Sequence, residues 1–531
     1  MTFPFSSSTE PSLVRLYKII GPYPRSNGIN SWSDWVNSRL VLAPMPEDAT
    51  SAAARPLSPR KQRLREISDR WAPQRDAFIA KNRAFHNDDR RYLAFLIPEG
   101  LQVLEIGCGT GGLLAALKPA KGVGVDISEP MIARARTAHP ALEFVVGDIE
   151  DPATIAGLVG PFDAIVIADA IGMLDDCQAM LQSLKPLCHP DTRLVVAYHN
   201  YLWEPVLRLA EALKLRMPEP LTNWLRPADI ANLLELADFE PVRTEWRQLI
   251  PKRLFGIGTF VNRFVATLPL IRKLCLRHYL VARPRPTGEH ESLSATVVVP
   301  CRNERGNVQA IVARIPRFCD DIEIVFVEGG STDGTWDEIV RVKTANPERD
   351  VKLFKQNGKG KGDAVRAGFA NARGDVLMVL DADMTVAPEE LAKFYAPLAT
   401  GRGEFVNGTR LVYPLERDSM RLLNRIANHT FSLLFSWLLN QRFTDTLCGT
   451  KALRRRHYER IAQGRAYFGD FDPFGDFDLI FGAAKLSLKV TEVPIRYAAR
   501  TYGETNISRF RHGWLLLRMV GFAFWKLKAV P

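Results

Sequence analysis

No Cys-x-x-Cys pair occurs among the seven cysteines (108, 177, 188, 275, 301, 319 and 448), and their number is odd. That excludes a disulfide framework and a structural zinc site, and it points to a reducing compartment. The N-terminus, Met-Thr-Phe-Pro-Phe-Ser-Ser-Ser, lacks a basic flank and an apolar run, so no signal peptide is expected. Collagen-like periods, heptads, low-complexity tracts and internal repeats are missing too. No motif for DNA or RNA accompanies the positive charge, so nucleic acid is not an expected partner. What is present is a globular balance: 46% apolar and 24% charged residues in 531 positions exclude a largely disordered chain. At roughly 150 residues per domain, that length suggests two to four domains.

Acidic residues are scarce in two places, and these account for the net charge of +11. Segment 251–290 carries eight Lys and Arg against Glu289 alone, and segment 500–531 carries six against Glu504. The remainder of the chain is nearly neutral. Both basic segments are also rich in large apolar side chains, the second reading Trp514-Leu-Leu-Leu-Arg-Met-Val-Gly-Phe-Ala-Phe-Trp525-Lys526. Basic plus apolar, with Trp at both ends, suits a helix lying in a membrane surface. The run is too short to span, since about 13 helical residues cover roughly 20 Å of a ~30 Å core. Stretch 419–440 places Leu423, Ile426, Ala427, Phe431, Leu434 and Leu438 on one helical face. Each stretch can equally be a core helix with snorkelling basic residues, and 251–283 can be a packed interdomain connector.

Residues 44–60 are small, polar and proline-rich, a linker by composition that closes a flexible segment 1–60. A charged helical lead-in follows from Lys61. Apolar strands then alternate with helices, at Gln102–Ile106, 122–127, 142–146, 163–168 and 193–198. A break at Ala282-Arg-Pro-Arg-Pro-Thr-Gly288 precedes a second alternation at 295–299, 323–327, 351–354 and 376–380. Alternating strand and helix implies parallel sheets covered on both faces. The expected organisation is therefore two doubly wound α/β domains, 61–250 and 291–510, with a basic amphipathic connector 251–290 and an amphipathic tail 511–531.

In the first domain a strand runs into Gly107-Cys108-Gly109-Thr110-Gly111-Gly112. Glycines permit a tight turn and close approach of backbone to ligand. Gly107, Gly109 and Gly112 alone satisfy the dinucleotide pattern G-x-G-x-x-G, and Asp126 at the end of the next strand fits either cofactor. The wider set, Glu105 before the glycines and Gly147-Asp148 after the third strand, resembles the class I S-adenosylmethionine-dependent methyltransferases over roughly 85–250. The resemblance implies a Rossmann-like fold in which Glu105, Gly107, Gly109, Gly111, Asp126 and Asp148 bind S-adenosylmethionine. In it, Asp126 holds the ribose, Asp148 the adenine, and Asp169 faces the methyl acceptor. His199 could serve as a base, although a lone histidine is more often structural. The Asn-Pro-Pro-Tyr type of motif is absent, which favours methylation of oxygen.

In the second domain one strand ends in Pro300-Cys301-Arg302-Asn303-Glu304, the next in Glu328-Gly329-Gly330-Ser331, and a third in Asp381-Ala382-Asp383. Two carboxylates two residues apart at a strand end suit a hard divalent cation whose other ligands are diphosphate oxygens and water. Loop Asn357-Gly-Lys-Gly-Lys361-Gly lies between the second and third. With Gly408-Thr409-Arg410, Asp445-Thr-Leu-Cys-Gly-Thr-Lys451, Glu492-Val-Pro-Ile495 and Arg500-Thr-Tyr-Gly-Glu-Thr505, the ordered set resembles family 2 glycosyltransferases of the GT-A fold. The nearer likeness is to polyprenyl-phosphate sugar synthases such as dolichyl-phosphate mannose synthase.

That resemblance implies a nucleotide-sugar donor bound by Pro300, Asn303, Glu304, Glu328, Gly330, Ser331, Lys361 and Asp381, and Mn²⁺ or Mg²⁺ held by Asp381 and Asp383. It implies inversion by direct displacement onto a polyprenyl phosphate or related lipid. Arg410, Arg421, Lys451 and Arg500 would clamp an acceptor phosphate; Asp476 or Asp478 would be the base for a hydroxyl acceptor. Two departures bear on the donor: one acid of the usual Asp-Asp-Gly-Ser is missing, and Thr385 stands where mannose synthases carry a metal-binding Gln. The combined expectation is a bifunctional enzyme attached peripherally to the cytoplasmic face of a membrane. The alternatives are a silent cofactor-binding or scaffolding first domain, and a saccharide acceptor.

Overall fold

The computed structural model describes residues 56–219, 221–410, 412, 422–469, 475–498, 500, 502 and 509–530, with the side chains of 422–428 and 509–512 left aside. The segment 1–55, Arg421, Thr501 and 503–508 lie outside the described residues, and with them the linker up to Arg55 and the Arg421 and Gly503–Thr505 expectations; Pro59 and Arg60, expected in the flexible segment, already belong to a helix.

Two seven-stranded sheets organise the chain. In the first, β1 (Gln102–Ile106), β2 (Lys121–Asp126), β3 (Glu143–Val146), β4 (Phe162–Ala168) and β5 (Cys188–His199) run parallel. Then β6 (Phe239–Arg247) and β7 (Arg277–Pro284) complete the order β3-β2-β1-β4-β5-β7-β6, with β7 antiparallel to both neighbours. The second sheet places β8 (Ala295–Cys301), β9 (Ile322–Glu328), β10 (Asp350–Lys355) and β11 (Val376–Val379) in parallel. Its other half is β12 (Phe405–Thr409), β13 (Lys451–Arg454) and β14 (Val490–Pro494), in the order β10-β9-β8-β11-β13-β12-β14. Both sheets are α/β, as expected, but mixed: β13 is antiparallel to β11 and β12. In each, neighbouring parallel strands leave in opposite directions, and ligands bind at the carboxyl ends beside such a switch point.

The first sheet corrects the connector. Residues 277–284 form β7, almost wholly buried between β5 and β6, so the first domain runs on to Pro284 instead of stopping at 250. The strand's charges had disguised it. Arg277 is 1% exposed and bonds Asp89 and Asp169, while Arg283 bonds Glu240 and the backbone carbonyl of Gly401. The tail is likewise anchored: Lys528 is buried against Glu245 of β6, and Arg247 donates to the carbonyls of Lys528 (3.0 Å) and Val530 (3.0 Å). Three of the basic residues that set the two positive segments are therefore interior counter-ions.

These contacts leave the two sheets no free tether, and Pro56–Pro531 forms one compact unit. Arg193 of β5 donates two 2.8 Å bonds to Glu404, which precedes β12, and Arg283 approaches the same carboxylate at 3.6 Å. His457 Nε2 meets Asp191 at 3.1 Å. Asp191, Glu404 and His457 bring potential metal ligands together, yet Arg193, Arg283 and Arg456 already occupy both carboxylates, a setting that disfavours an added cation. One apolar core joins helix Arg83–Leu96 of the first half to helix Phe477–Lys485 of the second.

A helical cap spans both halves. Trp437, on helix Leu422–Leu439, donates to the carbonyl of Thr267 at 2.9 Å. Phe264 stacks on Phe524 and meets Trp525 edge-on at 5.4 Å between centroids, and the Arg263 guanidinium lies 5.0 Å over Trp525. Phe255, Leu270, Leu433, Trp514, Leu517 and Trp525 remain exposed on it. No helix among the described residues is long and apolar enough to cross a membrane.

Candidate active sites

The first site is a cavity at the carboxyl ends of β1, β2 and β4, where strand order reverses. Gly107, Gly109, Asp126, Asp148 and Asp169 line it. Gly107 has φ +74°, and a Cβ there would fall 2.6 Å from the Cβ of Ala170, so the tight turn requires glycine. At Gly109 (φ +53°) a Cβ would meet no protein atom within 4 Å and would instead project into the open cradle. The Gly109 N–H donates to Asp126 Oδ2 at 2.8 Å and the Ser128 N–H to Oδ1 at 2.9 Å, which fixes this carboxylate at the rim. Burial raises its pKa, and those two bonds oppose the rise.

Two expected members stand off the wall. Glu105 is buried beneath the glycine loop, and burial pushes its carboxyl up to about 8. A hydrogen bond with the Leu114 backbone, in the helix that follows the loop, opposes that rise. Gly111 instead makes room for the ring of Phe144, which a Cβ would meet at 2.6 Å.

The helical lead-in supplies what the sequence did not reveal. Lys61, Leu64 and Ser68 of helix Pro59–Trp71, together with Arg75, close one side of the cavity. Lys61 pairs with Asp148 and, at 2.6 Å, with Glu150. Arg60 fastens the helix by donating to the carbonyls of Gly172, Met173, Leu174 and Leu221 and to Asp175. The charged helical pattern from Lys61, the Ser58 N-cap and Pro59 mark this helix locally, and none of them points to a ligand.

Asp169 ends β4 with φ +65° and faces the cavity. Burial would raise its pKa, but Arg277 and His199 outweigh it and hold the carboxyl well below the usual range. His199 Nδ1 lies 2.9 Å from Asp169 Oδ1, and its ring stacks on Phe85. It is buried and off the cavity wall, so it orients Asp169 and does not reach into the pocket as a base. The glycine cradle, the rim carboxylate and the acid pair at the far end fit S-adenosylmethionine as a ligand.

The second site gathers at the carboxyl ends of β8, β9 and β11. Asn303 takes φ +57°, accepts from the Thr332 N–H at 2.8 Å and donates its own N–H to Ser331 Oγ at 2.9 Å. Glu328 accepts from the Ser331 N–H, and Gly330 supplies the positive φ (+77°) of that turn. Glu304 accepts from Asn307 at 2.7 Å. Thus Pro300 to Glu304 and Glu328 to Ser331 form one interlocked pair of loops.

Beside them, Lys361 Nζ sits 2.6 Å from Asp381 and 3.4 Å from Asp476. Arg500 Nη2 lies 2.9 Å from Asp383 and Nη1 3.5 Å from Glu304. Asp383 also accepts from Thr385 Oγ1 at 2.7 Å. Burial would raise the Asp381 pKa, yet Lys361 leads the charges that lower it, so the carboxylate is ionised. Two carboxylates two residues apart, each already facing a cationic side chain, fit a divalent cation, with Asp381 and Asp383 as its holders.

The other expected residues divide. Asp476 joins the cluster, with Lys451 3.9 Å away. Lys451 itself is fully buried and donates to the Cys448 carbonyl, which does not suit a surface clamp. Asp478 turns away, to Arg465 (3.5 Å) and Arg366 (3.9 Å). Arg410 is held on Asp445 by bonds of 2.6 and 2.8 Å and stacks over Tyr497, so its guanidinium is already committed. Gly449, read in the sequence only as part of the Asp445–Lys451 motif, closes on the same cluster: a Cβ there would lie 1.9 Å from Asp381 Oδ2 and 2.4 Å from Lys361 Nζ.

These features put one candidate transferase site on each sheet. Comparison with known families agrees: "Glycosyl transferase family 2" matches residues 296–461, and "Methyltransferase domain" matches 74–244. The chain is 32% identical over 227 residues to the polyprenol monophosphomannose synthase of Mycolicibacterium smegmatis, covering 40% of this chain and 80% of that protein. It is 27% identical over 241 residues to the dolichol-phosphate mannosyltransferase of Pyrococcus furiosus, covering 43% and 65%. The chain thus belongs to glycosyl transferase family 2 and carries a methyltransferase domain ahead of the family region. Among solved structures, magnesium protoporphyrin IX methyltransferase from Synechocystis is 19% identical with a TM-score of 0.31, covering 42% of this chain and 99% of that one. Glucosyl-3-phosphoglycerate synthase from Mycobacterium tuberculosis is 18% identical with a TM-score of 0.34, covering 45% and 81%.

Proposed function

We propose that the second half transfers a sugar, with inversion, from a nucleotide diphosphate to a polyprenyl phosphate or related lipid at the cytoplasmic face of a membrane. The observation that carries this reading is the carboxylate pair Asp381 and Asp383 at the end of β11, beside the interlocked loops of β8 and β9. Both named relatives are polyprenyl-type phosphate mannosyltransferases, which supports a lipid acceptor. A divalent cation held by Asp381 and Asp383 would supply positive charge to the diphosphate leaving group. Lys361 and Arg500 lie where, once released from the carboxylates, they reach anionic oxygens of donor or acceptor. An acceptor phosphate is already anionic, so no base is required for its attack on the anomeric carbon. Should the acceptor be a hydroxyl, Asp476 is better placed than Asp478 to take its proton. The apolar cap with its exposed Phe255, Leu270, Trp514 and Trp525 supports attachment to the bilayer that holds the lipid.

The first half, on this reading, methylates an oxygen using S-adenosylmethionine. S-adenosylmethionine would supply the electrophilic methyl group and leave as S-adenosylhomocysteine, with the acceptor hydroxyl's proton passing to solvent. Gly107 and Gly109 bring backbone to the cofactor, Asp126 takes the ribose and Asp148 the adenine. Asp169, ionised and fixed by Arg277 and His199, orients the acceptor. The interdomain ion pairs give the two halves one fixed orientation, a stronger coupling than a flexible tether provides.

The test is incubation with membranes, Mn²⁺ and a panel of labelled nucleotide sugars, followed by lipid extraction. Label in the organic phase is expected; label confined to water-soluble product refutes the lipid acceptor. Unlabelled sugar with methyl-labelled S-adenosylmethionine tests the first half, and tight cofactor binding without any turnover would reduce it to a scaffold.

A further inference from the structure

Helix Glu204–Ala212 follows β5 in the methyltransferase half, and Leu207 is its one buried residue. Leu202, Val206, Leu209 and Leu213 recur at intervals of four, three and four residues, which puts them on one face, and each is about half exposed or more. Leu207, on the opposite side, is buried. A globular surface ordinarily scatters its exposed leucines singly, whereas a contiguous apolar patch marks an interaction site.

This face is continuous with the apolar cap that spans both halves. Asn200 Nδ2 donates to the carbonyl of Lys273 at 2.9 Å and Trp203 Nε1 to that of Leu274 at 2.8 Å. Leu270 and Leu274, both exposed, lie on the segment so joined, and Thr267 of the same segment is bonded by Trp437. Charge selects the occupant. Between 249 and 276 there is no acidic residue, and the acids of the helix, Glu204 and Glu211, are both ion-paired, with Arg208 and Arg216. Lys214, Lys252, Arg253 and Lys273 are exposed on the same segments. An apolar face with bases on the same segments and without an unpaired carboxylate complements an anionic bilayer leaflet. The chain then passes from Leu213 to Met217 and Glu219, which line the methyltransferase cavity, so the stripe ends within a few residues of that site.

We propose that helix Glu204–Ala212 is a second docking element, laid on the same anionic leaflet as the cap, and that the methyl acceptor is the head group of an amphiphile held in that leaflet. The inference rests on the membrane reading above but makes a separate claim about the first half. Hydrogen exchange of the whole protein with vesicles of phosphatidylglycerol and phosphatidylethanolamine is expected to protect amides of 201–215 as well as 254–274; phosphatidylcholine vesicles are expected to protect both less. Leu209→Asp with Leu213→Asp, both at surface positions, is expected to weaken partition to anionic vesicles about tenfold or more, with melting temperature unchanged. Methyl label from S-adenosylmethionine is expected in the organic extract of native membranes.

Outcomes against the proposal are separable. If that double variant binds like the wild type while Phe255→Asp with Leu270→Asp does not, only the cap docks and this inference falls alone. If the wild type binds no vesicle, the membrane reading of both halves falls. Protection of 201–215 that rises with protein concentration in the absence of lipid would make the helix an interface between copies and overturn the proposal. Methyl label solely in water-soluble product would overturn the acceptor.

Discussion

Replacing Glu404 by glutamine removes one negative charge from the junction of the two halves with almost no change of shape. The side chains of Arg193 and Glu404 are 8% and 5% exposed, and Arg193 spends two 2.8 Å bonds on this carboxylate. Breaking one partner of a buried pair costs about 3–5 kcal/mol, because the remaining charge is left in low dielectric. The titration of Glu404 gives an independent figure. Burial would raise its pKa, but Arg193, Arg283 and His457 prevail and bring it from 4.5 to about 2. At 1.36 kcal/mol per pH unit, that shift corresponds to roughly 3 kcal/mol of stability from the ionised form. The folded-state value is the lower one, so the contribution is complete above about pH 4.5 and is lost as pH falls towards 2. Urea unfolding followed by fluorescence is therefore expected to place Glu404→Gln about 3 kcal/mol below the wild type at pH 7, with the gap narrowing steadily below pH 4.5. Arg193→Met combined with Glu404→Met is expected to recover most of the loss, since no isolated charge remains at the pair. A glutamine variant within 1 kcal/mol of the wild type at pH 7, or a gap of equal size at pH 3, would refute the ion-pair account of the junction.

Asp381→Asn is expected to lower sugar transfer by at least about a hundredfold while leaving S-adenosylmethionine binding intact; equal losses at both sites would indicate unfolding instead. Gly449→Ala forces a methyl group to 1.9 Å from Asp381 Oδ2, so donor binding measured by calorimetry is expected to disappear without a matching fall in melting temperature. Asp126→Asn removes a charged acceptor from the cofactor cavity and is expected to weaken S-adenosylmethionine about tenfold or more by calorimetry; unchanged affinity would displace Asp126 from the ribose.

How much of this was legible before folding depended on whether a signal was local. The strands that position both sites read plainly, because Val103-Leu104 and Val297-Val298-Val299 are apolar runs ending in glycine or carboxylate motifs. The site loops read for the same reason: a glycine cradle or an Asp-x-Asp pair needs specific residue types within a few positions. Helix Pro59–Trp71 is different, since its Lys61 acquires meaning only when Asp148 and Glu150 arrive 87 and 89 residues later in the chain.

Charge marks the division most clearly. The sequence by itself determined two α/β domains, the residue types of both sites, and the location of the excess positive charge. It could not determine which of those charges meet water. Arg277, Arg283 and Lys528 count as surface bases in any linear tally, but Asp89, Asp169, Glu240, Glu404 and Glu245 neutralise them in the interior. The reason is physical: a buried guanidinium or ammonium is tolerable only beside a carboxylate, and those partners come from strands and helices far away in sequence. Tertiary structure thus turned the end of a supposed connector into a buried strand of the first sheet, and tied the amphipathic tail through Lys528 to Glu245 of one half and Asn440 of the other.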